Sequence, residues 1–257
     1  MNNTRFTNLV DFKSNFLNTN EFHLEKDKNA TLILEKFNSD VVKLFLDEDS
    51  HLVYITFDKG DEIDTKNLLN ATLKKNARLE IYNIVTSDKS SKINTEVHLN
   101  ESGSSVEIIN LLLQTKESTL DSFFDIYHYV GHTSSSLTNY AIAKDNAVVI
   151  VNNNATIKQK ASSSVAHQAT KGLTLSKNAK IKALPNLYID EYDVIANHAC
   201  SIGSINKEDL FYLMSRGLTE TEASKIVIMG FVKPILDHIT NDELKIRIEE
   251  EFAKKLR

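Results

Sequence analysis

The chain has 257 residues, of which 41% are hydrophobic and 25% are charged, a globular composition that excludes global disorder. Its 30 Lys and Arg against 35 Asp and Glu give a formal net charge of -5, which leaves no excess of cations for a phosphate backbone. We therefore expect no nucleic-acid partner.

The N-terminal sequence and the cysteine count bear on the cellular compartment. Residues 1–6 lead into mixed polar sequence without the apolar core of a signal peptide. No apolar stretch reaches the ~18 residues of a membrane-spanning helix. Cys200 is the one cysteine, and a lone thiol fits a reducing compartment. These features predict a cytoplasmic protein with no membrane partner.

Short apolar runs separated by polar turns extend from about Leu32 to Ile202 and predict a strand-rich region. The later runs centre on Val149, Leu173 and Ile195, roughly 22 to 24 residues apart, a spacing typical of the rungs of a parallel β-helix. Asparagine tolerates the left-handed backbone of tight corners, and the predicted corners are 152–154, Asn178 and Asn186. An antiparallel sandwich is the alternative fold.

After Ser204 the pattern becomes helical. Asn206 is the predicted N-cap of a first helix that ends at Arg216 and Gly217. Capping boxes at 219–222 and 240–243 predict a second and a third helix. The predicted apolar face of the second helix comprises Ala223, Ile226, Val227, Phe231 and Ile235. That of the third comprises Leu244, Ile248, Phe252 and Leu256, and we expect it to pack on the preceding helices.

These patterns divide the chain into three predicted regions: an N-terminal flank at 1–30, a β-helix core at 31–204 and a C-terminal helical domain at 205–257. The fold class is therefore mainly β, with a helical tail. None of the common nucleotide-binding, zinc-protease or serine-hydrolase motifs is present. We expect no catalytic residues and no enzymatic activity.

The residues best suited to bind a metal or sulfur are His198 and Cys200. Residues two apart in an extended segment point to the same face, which would place imidazole and thiol side by side. Such a pair suits iron, zinc or sulfur but is too small to hold a cluster alone, so any cluster must be shared with another chain. The alternative is a small buried hydrophobe beside a hydrogen-bonded structural histidine.

The same stretch carries a resemblance to a known family. Residues 184–189, 193–198 and 210–218, with the spacing between them, resemble the signature of the SufB/SufD family of iron-sulfur cluster assembly proteins. Upstream, residues 166–169 and 173–176 resemble the family's strand-and-turn segment. His128, followed by Thr133 and Ser135, resembles its H-x-x-x-x-T-x-S element.

The resemblance implies a right-handed parallel β-helix that pairs with a second SufB/SufD-type subunit, while the C-terminal helices dock the ABC-type ATPase SufC. His198 matches the family's interface histidine, a candidate iron or cluster ligand. The implied cluster is transient and held at the subunit interface, with no cofactor tightly bound to the isolated chain. Candidate contacts with SufC are Phe211, Arg216, Gly217 and Phe231.

Two departures from the family pattern refine this interpretation. SufB-type members flank the histidine with glutamates, whereas Asn197 and Ala199 stand here, which favours the SufD type. The family offers no role for Cys200, and a sulfur-handling role is a hypothesis based on its proximity to His198. Three alternatives remain open: a homodimeric SufB/SufD-like scaffold, a polysaccharide-acting β-helix enzyme and a structural β-helix whose tail binds one partner.

Overall fold

The computed structural model describes residues 4–6, 20–34, 41–60 and 65–256. Strands come first along the chain and three helices follow within these residues. The strands are β1 (Thr4–Phe6), β2 (Glu21–Leu24), β3 (Asn29–Leu34), β4 (Val42–Leu46), β5 (His51–Asp58), β6 (Thr65–Leu73), β7 (Arg78–Ser87), β8 (Ser91–Leu99), β9 (Ser105–Gln114), β10 (Thr119–His128), β11 (Ser134–Ala143), β12 (Val148–Ile157), β13 (Ser164–Thr174), β14 (Lys180–Ile189) and β15 (Val194–Ser204). The helices are α1 (Lys207–Ser215), α2 (Glu220–Leu236) and α3 (Asp242–Lys255).

The strands form two sheets and alternate between them along the chain. The eight-stranded sheet has the order β1-β3-β5-β7-β9-β11-β13-β15, and the seven-stranded sheet has the order β14-β12-β10-β8-β6-β4-β2. All pairs are parallel except β1 with β3. Each turn of the chain thus adds one strand to each sheet. The predicted parallel β-helix is confirmed, and the antiparallel sandwich is wrong.

The rung length differs from the predicted one. Val149 lies opposite Leu120 and Ile181, which are 29 and 32 residues away. The predicted spacing of 22 to 24 residues is wrong for these later rungs, because Val149 belongs to the seven-stranded sheet whereas Leu173 and Ile195 belong to the other. Strand β2, which falls within the predicted N-terminal flank, already pairs with β4.

One of the three predicted asparagine corners, Asn178, lies in a turn, and the other two do not. Residues 152–154 lie inside β12 and Asn186 lies inside β14, so these two predicted corners are wrong, while Asn178 lies in a turn. Among the described residues, the non-glycine residues with positive φ are Asn20, Asp27, Asp49, Asn76, Lys116, His132, Asp145, Lys160 and Ser163. Corners also support each other, since Asn76 Nδ2 donates to Asp49 Oδ1 at 2.8 Å.

The space between the two sheets is filled by aliphatic and aromatic side chains, including Leu44, Leu79, Ile108, Phe124 and Leu137. All five are at most 1% exposed. Burying a side chain of this size stabilises the fold by about 1.5–3 kcal/mol. The stacked rungs therefore share one continuous core.

The helices begin largely where the sequence predicts. The Asn206 side chain accepts from the Glu208 backbone N–H at 2.9 Å, and Gly217 follows α1 with φ of 95°. The predicted capping box at Thr219 and Glu222 is confirmed. The second predicted box is wrong, because Asn241 caps α3 and accepts from Leu244 N–H at 2.9 Å. Within the described residues, no helix is long and apolar enough to cross a membrane.

Helices α2 and α3 cover the outer face of the eight-stranded sheet. Ile228 and Val232 of α2 and Ile248 of α3 join one buried cluster with Tyr82 and Leu111 of the sheet. Helix α3 was predicted to pack on the preceding helices. It packs on the solenoid as well as on α2, so that prediction is incomplete. The predicted face of α2 is partly wrong, since Ile226 is 49% exposed.

Candidate functional site at the open end of the solenoid

Each sheet ends at the last rung, formed by β14 and β15, which we call the open end. Within the described residues, neither strand pairs with another strand beyond it. Tyr188 and Ile195 are 56% and 61% exposed there, and Leu184 and Ile202 are also exposed. Unpaired strand edges carrying apolar side chains are templates for pairing with another chain. The open end is therefore an unfinished surface.

His198 and Cys200 lie on β15 and face the inside of this end. Ala166 of β13 is buried in the interior, and its partner Ala196 packs against the same small cluster. Because side chains alternate along a strand, His198 and Cys200 share the inward face with Ala196. Both are exposed because no described rung covers them. The structure thus places imidazole and thiol on one face, two residues apart.

A line of polar side chains runs along the inner face of the eight-stranded sheet. Thr56 Oγ1 donates to Asn83 Oδ1 at 2.8 Å, and Asn83 Nδ2 donates to Asn110 Oδ1 at 2.8 Å. Asn110 Nδ2 then donates to Asn139 Oδ1 at 2.6 Å. All four residues are at most 1% exposed. We call this line, continued to Thr170, the interior ladder.

The interior ladder ends beneath Cys200. Asn139 Nδ2 and Asn153 Nδ2 each lie 3.3 Å from Thr170 Oγ1 and donate to it. Thr170 in turn lies opposite Cys200 in the register of β13 and β15. Sequence reasoning missed this ladder; its signal is an asparagine at the centre of three apolar strands, at Asn83, Asn110 and Asn139.

Gln168 lies directly behind His198 in the same register. Its side chain is 3% exposed, and its Nε2 donates to the Asn186 carbonyl of β14 at 3.2 Å. Its Oε1 is buried without a hydrogen-bond partner. Leaving a buried acceptor unpaired costs about 1–3 kcal/mol, so this oxygen is available to a donor at the open end.

His128 plays a structural part in the middle of the solenoid. Its Nδ1 lies 2.8 Å from Thr133 Oγ1 and its Nε2 lies 2.9 Å from Ser135 Oγ. Burial lowers the pKa of His128 to about 4, because a buried imidazolium loses its hydration. The residues of the H-x-x-x-x-T-x-S element therefore form one neutral hydrogen-bonded unit, away from His198.

The open end offers a pair of candidate metal donors. In residues 20–34, 41–60 and 65–256, no three His, Cys, Asp or Glu side chains come close enough to hold a metal ion. His198 and Cys200 supply two donors of types that iron accepts. A complete coordination sphere at this position thus requires ligands from outside the described residues.

The predicted SufC contacts lie on two helices with different surroundings. Phe211 of α1 is 75% exposed, and Arg216 lies over the ring of Tyr212 at 5.3 Å. Gly217 follows with open space around it. Phe231 of α2 instead packs edge-on against Tyr140 of the sheet, with ring centroids 5.5 Å apart. Only the α1 group therefore presents a broad free surface among these four residues.

Comparison with protein families gives one match that covers most of the chain. Residues 14–231 match the family described as "SUF system FeS cluster assembly, SufBD core domain". This range includes strands β2 to β15, α1 and most of α2. The matched domain thus contains the open end and both of its candidate ligands.

Curated relatives agree with this match. The iron-sulfur cluster assembly protein SufD of Bacillus subtilis (strain 168) is 33% identical over 141 residues, which is 55% of this chain and 32% of that protein. SufD of Escherichia coli (strain K12) is 25% identical over 163 residues, covering 63% of this chain and 38% of that protein. A SufBD family protein of Pyrococcus horikoshii is 28% identical over 227 residues, covering 85% and 49%.

The chain thus spans about a third to a half of the length of these relatives. The relatives from Bacillus subtilis and Escherichia coli are both SufD proteins. Together with a family match over 14–231, these findings show that the chain belongs to the SufB/SufD family of iron-sulfur cluster assembly proteins and is closer to SufD.

Proposed function

We propose that this chain is a non-catalytic, SufD-like scaffold subunit that pairs through its open end with a SufB-type subunit and docks a SufC-type ATPase through α1. The observation that carries the proposal is the last rung, where two unpaired strand edges, exposed apolar side chains and the His198–Cys200 pair coincide. The cargo is a transient iron-sulfur cluster, and the cellular location is the cytoplasm.

Pairing through the open end has a simple physical basis. A second subunit that adds a strand to β14 or β15 would satisfy the free backbone N–H and C=O groups of that edge. It would also remove Tyr188 and Ile195 from water. Burial of apolar surface contributes about 25 cal/mol per Å², so both terms favour association at this end.

The same pairing would complete the iron site. His198 and Cys200 supply an imidazole and a thiol on one face of β15, and a cluster iron needs more ligands than two. The partner supplies the remainder when its own end rung approaches. Enclosure at the interface would also exclude water from the cluster.

Docking of the ATPase is assigned to α1 because this helix is left uncovered. None of its residues is buried, and Phe211 and Tyr212 are 75% and 57% exposed. Aromatic side chains of this kind commonly anchor protein interfaces. Arg216 stacks on Tyr212 and adds a cation at the edge of the same patch, next to Gly217.

A homodimer is the second candidate, because the open end can pair with a second copy of itself. Isologous pairing would use the same β14 and β15 edges. The two forms differ in a simple measurement, since only the homodimer would form from the purified chain alone. Light scattering of the isolated chain at micromolar concentration separates them.

The test is co-expression with a SufB-type subunit and a SufC-type ATPase, followed by anaerobic reconstitution with iron and sulfide. We expect a stable complex that forms a cluster, detected by its visible absorption, and loss of that cluster in His198→Ala. His167→Ala is the matched control, because His167 lies one residue before Gln168 on the neighbouring strand and is exposed on the opposite face.

Phe211→Asp tests the docking surface in the same system. We expect loss of ATPase co-purification with retention of the SufB-type partner, because Phe211 lies on α1 and not on the strand edges of β14 and β15. Ile246→Asp is the control, since Ile246 is 56% exposed on α3. Absence of both partners from the purified chain, with no iron retained, would contradict the scaffold role.

A further inference from the structure

The interior ladder has one direction. Each member donates to the next along the solenoid, from Thr56 to Asn83 and on to Asn110. The Asn110 amide donates to Asn139, and the Asn139 amide donates to Thr170. Hydrogen bonds aligned in one direction polarise one another. The donor end of the line therefore lies at the open end.

The hydrogen-bond capacity of Thr170 shows where that donor end leads. A hydroxyl group has two acceptor lone pairs and one donor proton. Two amide groups, Asn139 Nδ2 and Asn153 Nδ2, donate to Thr170 Oγ1 at 3.3 Å each. Asn139 Nδ2 divides its two protons among Thr170 Oγ1, Asn153 Oδ1 at 3.2 Å and the Ala169 carbonyl at 3.4 Å. Thr170 Oγ1 is the acceptor in both of its contacts, and its proton remains. The residue opposite Thr170 on the next strand is Cys200.

A second, independent feature points to a ligand at the same place. Gln168 Oε1 is buried and has no hydrogen-bond partner, two residues before Thr170 on the inward face of β13. The residue opposite Gln168 is His198, which carries a ring N–H. Histidines that bind metal commonly donate their other ring N–H to a carbonyl or carboxylate oxygen.

We propose that Thr170 and Gln168 are positioning residues of the iron site. Thr170 donates its hydroxyl proton to Cys200 Sγ, at the donor end of the interior ladder. Gln168 Oε1 accepts the ring N–H of His198 and leaves the other ring nitrogen free for an iron ion. The role of the site rests on the proposed scaffold function, but the hydrogen bonds themselves do not.

The hydrogen bond to sulfur is tested by the reactivity of the thiol. Because Cys200 is the one cysteine, alkylation of the purified chain by iodoacetamide reports on it alone. A hydrogen bond to an ionised group is stronger than one between neutral groups, so Thr170 should favour the reactive anion. At fixed pH, we expect Thr170→Val to slow alkylation about tenfold and Thr170→Ser to stay within about twofold of the original rate.

Thr170→Val leaves the Asn153 amide without its acceptor, so the folding of this variant must be checked by circular dichroism. Thr86→Val is the matched control, because Thr86 is buried, its hydroxyl has no partner and it is not part of the ladder. An unchanged alkylation rate in a folded Thr170→Val would overturn the proposal. If that variant does not fold, the hydroxyl proton of Thr170 is followed by NMR in the original chain and in Cys200→Ala. A shift supports the bond, and an unchanged resonance overturns it.

The contact with Gln168 is tested by the tautomer of His198, read from its imidazole ¹⁵N resonances in the metal-free chain. One tautomer should dominate in the original sequence, and both should be populated in Gln168→Met, which lacks the acceptor. Identical resonances in the two proteins would overturn this half of the proposal. Neither test needs iron or a partner, so failure here is distinct from failure of cluster assembly.

Discussion

The middle rungs and the last rung have the same strand arrangement, but their inward-facing side chains differ in exposure. In β9 and β11, Ile108 and Leu137 are at most 1% exposed, because each is covered by a further rung. In β15, Ile202 lies on the same inward face but is 42% exposed, although the register continues unchanged. The last rung is therefore built as part of a core that no described residue completes.

Truncating a side chain in a closed rung should lower the free energy of unfolding far more than truncating one at the open end. Phe124→Ala empties a fully buried position and should lower the free energy of unfolding by about 3–5 kcal/mol. Ile202→Ala, on the inward face of the open end, should lower it by less than about 1 kcal/mol. Urea unfolding of the isolated chain gives both values. Equal losses would mean that the end is as well packed as the middle.

The interior ladder provides the next contrast. Asn110→Leu removes one member and leaves Asn83 Nδ2 and Asn139 Oδ1 buried without partners. The free energy of unfolding should fall by about 3 kcal/mol, since each unpaired buried group costs about 1–3 kcal/mol. Cys200→Ala removes the residue at the exposed end of the same line and should cost under about 0.5 kcal/mol. A neutral Asn110→Leu would contradict a structural role for the ladder.

The pH dependence of stability probes the buried histidine of the middle rungs. The folded-state pKa of His128 is lowered to about 4, below the ~6.5 of an unfolded chain. Protons therefore favour the unfolded state. The stabilising contribution is fully present above pH ~6.5 and is lost as the pH falls towards 4, up to about 3 kcal/mol. His128→Gln should flatten the dependence over this window; an unchanged slope would show that other groups cause it.

The smallest expected effect concerns the attachment of α3 to the solenoid. Asp88 pairs with Lys116 and, at 3.0 Å, with Lys255, and these cations lower its pKa to about 2. A lowered carboxyl pKa stabilises the fold above pH ~4, and this contribution is lost as the pH falls towards 2. Because the Asp88 side chain is partly exposed and its pairs are screened by salt, we expect Asp88→Asn to cost about 1 kcal/mol at pH 7 and less in high salt. Thermal unfolding at two salt concentrations measures it.

Much of the fold was predictable because local signals sufficed. The strand runs, the Asn206 cap and the Thr219–Glu222 capping box all depend on neighbouring residues. Placement of His198 and Cys200 on one face follows from strand alternation alone. The prediction of long-range features failed where apolar and polar residues do not alternate along a strand. In β9, residues 108–113 are all buried, because the outer face is covered by helices. No period then marks which residues face inward.

The interior ladder and the partner of Gln168 could not be predicted for a related reason. Asn83, Asn110 and Asn139 are 27 and 29 residues apart, and their contact appears only once the register is known. The N-cap of α3 was predicted at Thr240 and lies at Asn241, because both residue types are good N-caps. Local chemistry allowed either residue, and the packing of Leu244 on the sheet cluster selects the later one.

Hydrogen–deuterium exchange of this chain, with and without a SufB-type subunit, tests most directly whether the open end is the pairing surface. We predict that the amides of β14 and β15 exchange rapidly in the isolated chain and become protected in the complex, while those of β9 and β11 are slow in both. Protection elsewhere, with β14 and β15 unchanged by the partner, would contradict the account.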